Sequence, residues 1–500
     1  MLAGTIGKRA LAGIIAAGVI LGVGELVSVP FGANSSPFYA VGSAVVDNTP
    51  EAVREWAIGT FGTSDKTALF VGMALVIALI AAGAGLLRRP LGAVLFGTLG
   101  AIGVLAAVTR STATPFAALP TIVGVAVGIV VLHALIRTTE PADAAAGMNR
   151  RSFLGLAVAA GVVAVAAGTA GRLISQARDI TANRLGFALP TPMPQTPIPE
   201  GADLRIDGLS SYITPNDDFY RIDTALVVPQ VSSETWSLRI HGMVDRELEI
   251  TFDDLAARQA VERTVTLTCV SNIVGGDLVG NATWIGYPLK DILEEAGIQD
   301  GADMALSSSH DAFTAGTPLD VLLDGRDALL AVGMNGQPLP VEHGYPARLV
   351  VPGLYGYVSA TKWITDIEIT RFDKVTAYWT DRGWGALGPI KTAARIDTPR
   401  SGGDVAAGTV VIAGVAWRQH TGISGVDIQI DDGNWVPATL SEEYSADTWR
   451  QWTYQWDAAP GDHTIRARAA DGNGDIQTSI TADTVPDGAT GYPKAFVTVS

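Results

Sequence analysis

The stretch TVTLTCVSNIVGGDLVGNATWIGYPLKDIL, residues 264–293, decides the fold of the C-terminal half of the chain. It begins with a β-rich run that ends at Cys269, continues through a loop rich in glycine and asparagine, and ends in a helical pattern. Short β-rich runs and compact helical segments alternate in this way from about residue 213 to residue 395. This alternation predicts a mixed α+β domain.

Cys269 is the one cysteine of the chain, so no intrachain disulfide can form. A single cysteine is commonly a buried structural residue. Here, however, it ends a strand and enters a loop that contains Gly275 and Gly276, and glycines allow a bulky ligand to approach the backbone closely. A thiolate is also the ligand type that polarisable transition metals prefer. The residues alone do not decide whether Cys269 is a buried structural residue or a metal ligand.

Charge and hydropathy divide the chain at about residue 175. Hydrophobic residues make up 48% of the 500 residues, and their excess lies before this point. Residues 1–175 carry 11 Lys and Arg against 7 Asp and Glu, whereas residues 176–500 carry 23 against 43. An acidic surface of this kind repels polyanions, so we expect no nucleic-acid partner. We interpret it as a solvated surface rather than an acidic docking site.

The first part of the chain has the length and composition of a membrane domain, residues 1–175. Five apolar stretches approach the ~20 residues that cross a bilayer as a helix, at about 10–30, 67–87, 91–109, 116–136 and 153–171. Glycine and alanine are abundant in all five, which favours close helix packing. The pattern predicts a five-helix transmembrane bundle.

Positive charges predict the orientation of this bundle. With the N-terminus inside, the inner segments hold Lys8, Arg9, Arg88, Arg89, Arg137, Arg150 and Arg151. The outer loops hold Arg54, Lys66 and Arg110. This excess on the inner side places the chain beyond residue 171 on the extracytoplasmic face of a bacterial cytoplasmic membrane.

An internal motif precedes the fifth stretch. Residues 149–154 read NRRSFL, which is similar to the RRxFL core of a twin-arginine export signal, and an apolar run follows. The two arginines could instead be simple positive-inside anchors. Twin-arginine export carries folded proteins, and that suits a domain that must acquire a cofactor before export.

The remaining segments predict a linker and a second exported domain. Residues 176–212 contain five prolines between 190 and 199 and lack helical periodicity, which is typical of an extended linker. From 396 to 500, closely spaced β-rich runs with DDG-type turns predict an immunoglobulin-like β-sandwich without a cysteine pair. We expect the aromatic run 448–456 to belong to its core. The mixed α+β domain would then occupy 213–395.

Several separated motifs resemble the sulfite oxidase family of molybdopterin enzymes. ITPNDDFYRID at 213–223 resembles the early pterin-binding segment, TLTCVSN carries the cysteine that ligates molybdenum in that family, and residues 334–369 are the most specific match. The resemblance covers about 290 residues. It implies a multidomain chain with a sulfite-oxidase-like molybdopterin domain and a sandwich that often serves in dimerisation, so a homodimer is an expectation.

The resemblance also implies residue roles. Cys269 would be the ligand of the metal in a molybdenum–molybdopterin cofactor. The cofactor-binding positions would be Asn216, Phe219, Tyr220, Arg221, His343, Arg348, Gly356, Ser359 and Lys362. Arginine and lysine suit a pterin phosphate because they offer bidentate and point-charge contacts to a dianion.

The expected substrate pocket departs from the family pattern. Sulfite oxidases place an arginine shortly after the cysteine, but residues 270–273 here are VSNI and carry no charge. The segment WTDRGW at 379–384 offers Trp384 where the family has a tyrosine, and Arg382 and Trp379 could line the pocket. We therefore predict Cys269, Arg382 and Trp384 as catalytic-site residues, and a small S- or N-oxide as the substrate.

Electron transfer would need a partner. The predicted spans contain only His133, which argues against a bis-histidine haem, and the absence of CxxCH excludes covalent haem attachment. A separate membrane haem protein or quinone-linked enzyme is therefore the expected carrier. Two alternatives stay open: sulfite oxidation despite the missing arginine, and a non-catalytic surface receptor that retains the fold.

Overall fold

The computed structural model describes residues 2–32, 35–50, 53, 56–57, 60–61, 65–109, 113, 116–139, 150–177 and 180–500. Contacts divide the chain into two compact units. The first comprises Met1–Asp179 with Ala225–Val228, and the second comprises Ile180–Thr224 with Pro229–Ser500.

The first unit is helical. Its described helices are α1 (Leu2–Ser28), α2 (Pro37–Asn48), α3 (Asp65–Leu86), α4 (Arg89–Val108), α5 (Leu119–Arg137) and α6 (Arg150–Ala177). Helix α1 packs against α3, α5 and α6. Its glycines make this possible: a Cβ added at Gly13 or Gly22 would overlap the backbone oxygen of Ala81 or Ala164, respectively.

Five of these helices coincide with the five predicted spans. They are Thr5–Phe31, Lys66–Leu86, Arg89–Val108, Leu119–Arg137 and Ser152–Arg172, and each is long and apolar enough to cross a membrane. Helix α2, with 12 residues, was not predicted and is too short to span. Arg54, Arg110 and Asn149 lie outside the described residues, as do the side chains of Arg150 and Arg151.

The second unit begins with a mixed domain of two sheets. One has the order β2-β1-β10-β5-β6, and the other has the order β3-β4-β7-β8 with β9 paired to β7. The strands are β1 (Ser237–Gly242), β2 (Leu248–Thr251), β3 (Val261–Thr268), β4 (Val279–Pro288), β5 (Met304–Ser309), β6 (Thr314–Pro318), β7 (Leu329–Met334), β8 (Gln337–Pro338), β9 (Arg348–Val350) and β10 (Ile364–Thr370). The helices of this unit are α7 (Thr181–Gly186), α8 (Phe252–Ala256), α9 (Leu289–Ala296), α10 (Leu319–Leu323) and α11 (Gly356–Ser359).

Sequence patterns explain these elements. All six residues of β7 are buried, as expected for a short continuous apolar run in a sheet covered on both faces. Helix α9 buries Leu289, Ile292, Leu293 and Ala296, which recur at helical spacing along one face. The α+β prediction for this domain is confirmed.

The C-terminal sandwich is built from β11 (Ala393–Thr398), β12 (Gly403–Val405), β13 (Gly408–Trp417), β14 (Ile423–Ile430), β15 (Val436–Pro437), β16 (Thr439–Leu440), β17 (Arg450–Ala458), β18 (Gly461–Asp471) and β19 (Lys494–Val499). Its sheets have the orders β11-β13-β17-β16 and β12-β19-β18-β14-β15. Trp452 and Trp456 lie in the core, as expected for the aromatic run. The predicted boundary at 395/396 falls inside β11, which pairs with β13, so the sandwich begins earlier than expected.

The predicted linker also differs from the structure. Residues 176–177 still belong to α6, and the rest from Ile180 onward packs with the second unit. The Met193 amide donates to Ala260 O (2.8 Å), and the Leu204 amide donates to Gln451 Oε1 (2.7 Å). The short helix α7 (Thr181–Gly186) lies within the predicted linker, and the proline-rich segment is not a free tether because its backbone groups bond to the domain.

Candidate functional site

Cys269 lies at the end of β3, where the chain turns away from the sheet. Its amide donates to Leu278 O (2.9 Å), and the Leu278 amide donates to Asn272 Oδ1 (3.0 Å), so the intervening loop is closed on itself. The thiol is buried and free of disulfide bonding. Burial raises the pKa of Cys269, while hydrogen bonds from Ser271 and the charge of Lys362 act in the opposite direction.

The sandwich holds the strand that carries Cys269. The Thr266 amide donates to Asp447 O (3.0 Å). Gln419 Nε2 donates to Thr266 O (2.8 Å) and to Thr268 Oγ1 (3.1 Å), one residue before the thiol. Gln419 is buried and its Oε1 has no hydrogen-bond partner in the described part of the chain. Sequence analysis missed Gln419 because nothing in its local sequence marks a contact with β3.

Arg348 is a buried cation next to this strand. Its Nη1 donates to His343 O (3.1 Å), its Nε donates to Leu349 O (3.3 Å), and its guanidinium lies 5.0 Å from the Trp284 ring centre. Burial lowers the pKa of Arg348 to about 10. No carboxylate among the described residues forms a salt bridge with it. A buried guanidinium with only neutral acceptors is costly and calls for an anion.

Lys362 provides a second cation. Its Nζ donates to Asp223 Oδ2 (3.1 Å) and to Glu342 O (3.2 Å). Burial lowers the pKa of Lys362 to about 8, although Asp223 opposes this effect. Arg221 binds the same carboxylate through Nε at 2.7 Å. Arg348 also acts on the Lys362 pKa, so the three cations share one region with a single carboxylate between them.

The early motif, residues 213–223, packs beside these cations. Asn216 accepts from Asn335 Nδ2 on its side-chain oxygen (2.8 Å), and its backbone oxygen accepts from His343 Nε2 (3.1 Å). Burial, with the charges of nearby cations, lowers the pKa of His343 to about 4, so its imidazole is neutral. Phe219 stacks on Tyr220 at 5.2 Å and meets His343 edge-on at 5.6 Å.

Tyr220 connects the cations with the thiol. It is partly buried, and burial raises its pKa well above the usual range. Cys269 raises that pKa further and Arg348 lowers it, so both groups lie close to the tyrosine oxygen. The structure therefore brings Cys269, Tyr220, His343, Arg348 and Lys362 into one site, as the resemblance implied.

Gly356 and Ser359 belong to the short helix α11. A Cβ at Gly356 would lie 3.9 Å from Thr268 O, which places the start of α11 against the end of β3. Ser359 is buried, and its hydroxyl donates to Tyr355 O (3.0 Å) within this turn. Gly356 thus borders the site, whereas the Ser359 hydroxyl donates its hydrogen bond to the backbone at the start of α11.

Arg382 and Trp384 make their contacts in a different cluster. Arg382 lies 3.6 Å above the Tyr378 ring and donates from Nη1 to Tyr378 O (2.7 Å). Trp384 packs against Tyr357 at 5.8 Å and Trp379 at 6.2 Å. These contacts do not bring either side chain to Cys269, so the catalytic assignment of Arg382 and Trp384 stays a prediction.

A cleft of about 390 Å³ opens beside the cysteine loop. Its lining includes Thr268 and Asn272, which flank Cys269, together with Tyr355, Lys391 and Arg418. Residues 270–273 are uncharged, as expected. Lys391 and Arg418, which lie far from Cys269 in the sequence, bring positive charge to this cleft. Lys391 and Arg418 were not predicted because neither lies within the motifs that carry the resemblance.

This set of residues fits a molybdenum–molybdopterin cofactor. The free buried thiol of Cys269 is a suitable ligand for a soft metal. The cations of Arg348, Lys362 and Arg221 outnumber the single carboxylate of Asp223, as a bound phosphate dianion would require.

Comparison with known proteins agrees with this fit. Residues 225–379 match the oxidoreductase molybdopterin binding domain, and residues 393–467 match the bacterial Ig domain. The uncharacterized oxidoreductase YuiH of Bacillus subtilis is 33% identical over 153 residues, which cover 31% of this chain and 74% of YuiH. Human mitochondrial sulfite oxidase is 28% identical over 323 residues, covering 54% of this chain and 58% of that protein.

A solved structure is also similar. The sulfane dehydrogenase SoxCD from Paracoccus pantotrophus matches 57% of this chain and 81% of its own chain, with a TM-score of 0.49 and 23% identity.

The fold, the cation cluster and the buried thiol define a molybdopterin-binding oxidoreductase. The chain belongs to the sulfite oxidase family of these enzymes, and its cofactor is molybdenum–molybdopterin. It spans a little more than half of the length of the mitochondrial sulfite oxidases that it matches, such as 58% of the human protein.

Proposed function

We propose that this oxidoreductase reduces a small organic S- or N-oxide by oxygen-atom transfer. The observation that carries the proposal is the uncharged segment after Cys269, in which Val270 is buried and Ile273 is 67% exposed. A sulfite dianion would find no cation on this segment, whereas the uncharged oxide group of an organic substrate needs none there.

The residues of the chain would have separate roles in this reaction. Cys269 would anchor the metal through its thiolate, and Arg348 and Lys362 would hold the pterin phosphate. Neutral His343 would fix the early motif through Asn216. When bound, the cofactor supplies the two-electron redox centre. Reduction of a sulfoxide breaks its S–O bond, consumes two electrons and two protons, and releases a thioether and water.

Steady-state kinetics of the purified holoenzyme would test this proposal. Reduced viologen would serve as the electron donor for dimethyl sulfoxide, trimethylamine N-oxide and methionine sulfoxide, and ferricyanide as the acceptor for sulfite. We expect kcat/KM for at least one oxide to exceed that for sulfite by about 100-fold or more. Turnover of sulfite alone would contradict the proposal.

Sulfite oxidation is the second candidate. It is favoured by Arg418 and Lys391 in the cleft and by the matched relatives that are named sulfite oxidases. Efficient sulfite turnover that falls in an Arg418→Met variant would establish this alternative.

We also propose that the five long apolar helices anchor the enzyme in a bacterial cytoplasmic membrane with its catalytic domain outside. The distribution of Lys and Arg supports this orientation. Electrons would come from a separate membrane haem protein or quinone-linked enzyme, and the sandwich could form a homodimer. Reduction of the purified enzyme's metal by reconstituted membranes would test the carrier, and no reduction by any membrane donor would contradict it.

A further inference from the structure

Arg418 is an unpaired cation in the wall of the cleft. Its side chain is partly buried, and its Nε is buried without a hydrogen-bond partner. The guanidinium forms no hydrogen bond and no ion pair with any residue that the structure describes. Since a guanidinium has five N–H donors in a planar fork, this arrangement leaves bidentate binding capacity for an anion.

Arg418 is close to the thiol end of β3. The next residue, Gln419, binds Thr266 and Thr268 through its amide. Thr268, immediately before Cys269, lines the same cleft as Arg418. Tyr355 also lines the cleft, and both Arg418 and Cys269 influence the pKa of its phenol. A ligand bound at Arg418 would therefore extend toward the cysteine.

The other charged residues of the cleft are already engaged or exposed. Lys391 Nζ donates to Gly488 O (2.8 Å). The Asp471 carboxylate accepts from the amides of Asn473 (3.0 Å) and Asp475 (3.1 Å) on Oδ1. Asp475 itself is exposed. Arg418 is thus the cation of the cleft that lacks a partner among the described residues.

The size and apolar lining of the cleft indicate the kind of anion. A volume of about 390 Å³ is far larger than an oxyanion as small as sulfite requires. Ile273 and Ile476 are both more than half exposed and line the cleft, which favours contact with carbon atoms. Asp471 and Asp475 in the same lining disfavour a dianion.

We propose that Arg418 forms an anion-binding subsite that takes the carboxylate of an elongated, singly charged organic oxide, whose oxide group reaches the metal. This inference rests on the proposed oxide reduction and specifies its substrate class. Arg418 would determine substrate specificity by fixing the end of the substrate that is remote from the reacting oxygen.

A pair of probes that differ in one charge tests the subsite. The holoenzyme would be assayed with N-acetylmethionine sulfoxide and with its methyl ester, using reduced viologen. The wild type should show kcat/KM about 10-fold or more higher for the acid than for the ester. Arg418→Met should bring this ratio close to one, mainly through KM, and Arg418→Lys should restore part of it.

A binding measurement makes the test independent of turnover. Titration calorimetry of the holoenzyme with N-acetylmethionine sulfone should give a Kd about 10-fold weaker in Arg418→Met than in wild type. Arg400→Met is the matched control because Arg400 is exposed on the sandwich and does not line the cleft. It should leave the Kd, the kinetic ratio and the melting temperature unchanged.

The outcomes separate the subsite from the proposed reaction. Equal reduction of acid and ester by wild type would overturn the subsite and leave oxide reduction standing. Binding of the sulfone that depends on Arg418, without reduction of either probe, would support the subsite and overturn oxide reduction. Arg418-dependent sulfite turnover without sulfone binding would overturn the organic anion as ligand.

Discussion

At the scale of single residues, the most informative feature is Arg348, a guanidinium buried at 5% exposure whose hydrogen-bond partners among the described residues are backbone oxygens. Placing an unpaired charge in the interior costs free energy, and replacing it by an apolar side chain is often neutral or stabilising. The protein retains Arg348, so its charge is expected to serve a bound anion rather than the stability of the fold.

Arg348→Met should therefore preserve or increase stability in protein without cofactor, but reduce cofactor binding. In protein prepared without cofactor, Arg348→Met should leave the free energy of unfolding unchanged or raise it by ~1–2 kcal/mol. In protein matured with cofactor, the same variant should contain several-fold less pterin, because the phosphate loses a buried cation. Calorimetry and pterin analysis measure the two effects. Equal loss of stability in both preparations would show that Arg348 is structural.

A second prediction concerns pH. The pKa of His343 is about 4 in the folded protein against an ordinary value of 6.5. Between these values the unfolded chain binds a proton that the folded chain does not, so the free energy of unfolding falls as the pH drops from 6.5 toward 4. The fall attributable to His343 should be on the order of 2 kcal/mol without cofactor.

His343→Gln is the comparison for this prediction, because glutamine can still donate to Asn216 O. Thermal unfolding from pH 7 to pH 4 should show a shallower decline in the variant than in wild type. Parallel curves would mean that His343 titrates normally and is not enclosed by the cations.

Residue types and motif order predicted part of this site. Cys269, Arg348 and Lys362 were found because they follow the family pattern, and the structure brings them together around Tyr220. Asp223 was not predicted as the carboxylate partner of Lys362 and Arg221, because pairing depends on the fold rather than on spacing. Arg418 belongs to the sandwich and is 149 positions from Cys269, so local sequence contains no signal for it.

At the scale of secondary-structure elements, β3 pairs with β4 on one side and bonds to the sandwich through Thr266 and Thr268. Gln419, in the turn after β13, donates the hydrogen bonds to both of these threonines. Arg395 in β11 adds a contact to the cysteine loop by donating from Nη1 to Gly276 O (3.4 Å). The sandwich therefore helps to position the thiol.

Gln419→Ala tests this positioning role. The variant loses two hydrogen bonds to β3 and leaves buried polar groups of that strand without this partner, so it should lose about 1–3 kcal/mol of stability. It should also bind molybdenum less completely. Gln429→Ala is the control, since half-buried Gln429 also makes two side-chain hydrogen bonds, donating to Gly433 O and accepting from Arg466 Nη1, but both lie within the sandwich. A drop in stability with unchanged molybdenum content would limit Gln419 to a structural role.

Hydrophobic periodicity predicted the elements well where it is regular. The helical spacing identified α9, and the β-rich run that ends at Cys269 identified β3. It failed for residues 180–212, whose prolines indicate an extended chain but cannot show that their backbone bonds to the domain. It also missed α2, whose 12 residues have no strong apolar pattern of their own.

At the scale of the whole molecule, an apolar helical unit precedes an acidic catalytic unit in one chain. Composition predicted this division because the five long helices are nearly free of charge, with mean hydropathy from 2.1 to 2.5. In the proposed membrane arrangement, the side on which the catalytic unit lies would depend on the export route, and residues 149–154 provide the testable motif.

Replacing Arg150 and Arg151 by lysine keeps both positive charges and removes the twin-arginine pair. If this motif directs export, the catalytic unit should stay on the cytoplasmic side in the double variant and lie outside in wild type. Protease accessibility in spheroplasts measures the difference. The matched control replaces Arg88 and Arg89 by lysine and should be exported normally. Normal export of the Arg150 and Arg151 variant would show that the motif does not direct export and that these residues act only as positive-inside anchors.

We propose that Cys269 binds the molybdenum of the cofactor through its thiolate. Molybdenum X-ray absorption of the purified wild type and of Cys269→Ser tests it most directly, with molybdenum and pterin contents measured on the same samples. We predict about one molybdenum per wild-type chain, and one fewer sulfur neighbour per metal, or loss of the metal, in the variant. An unchanged sulfur coordination at full metal content in Cys269→Ser would contradict the account.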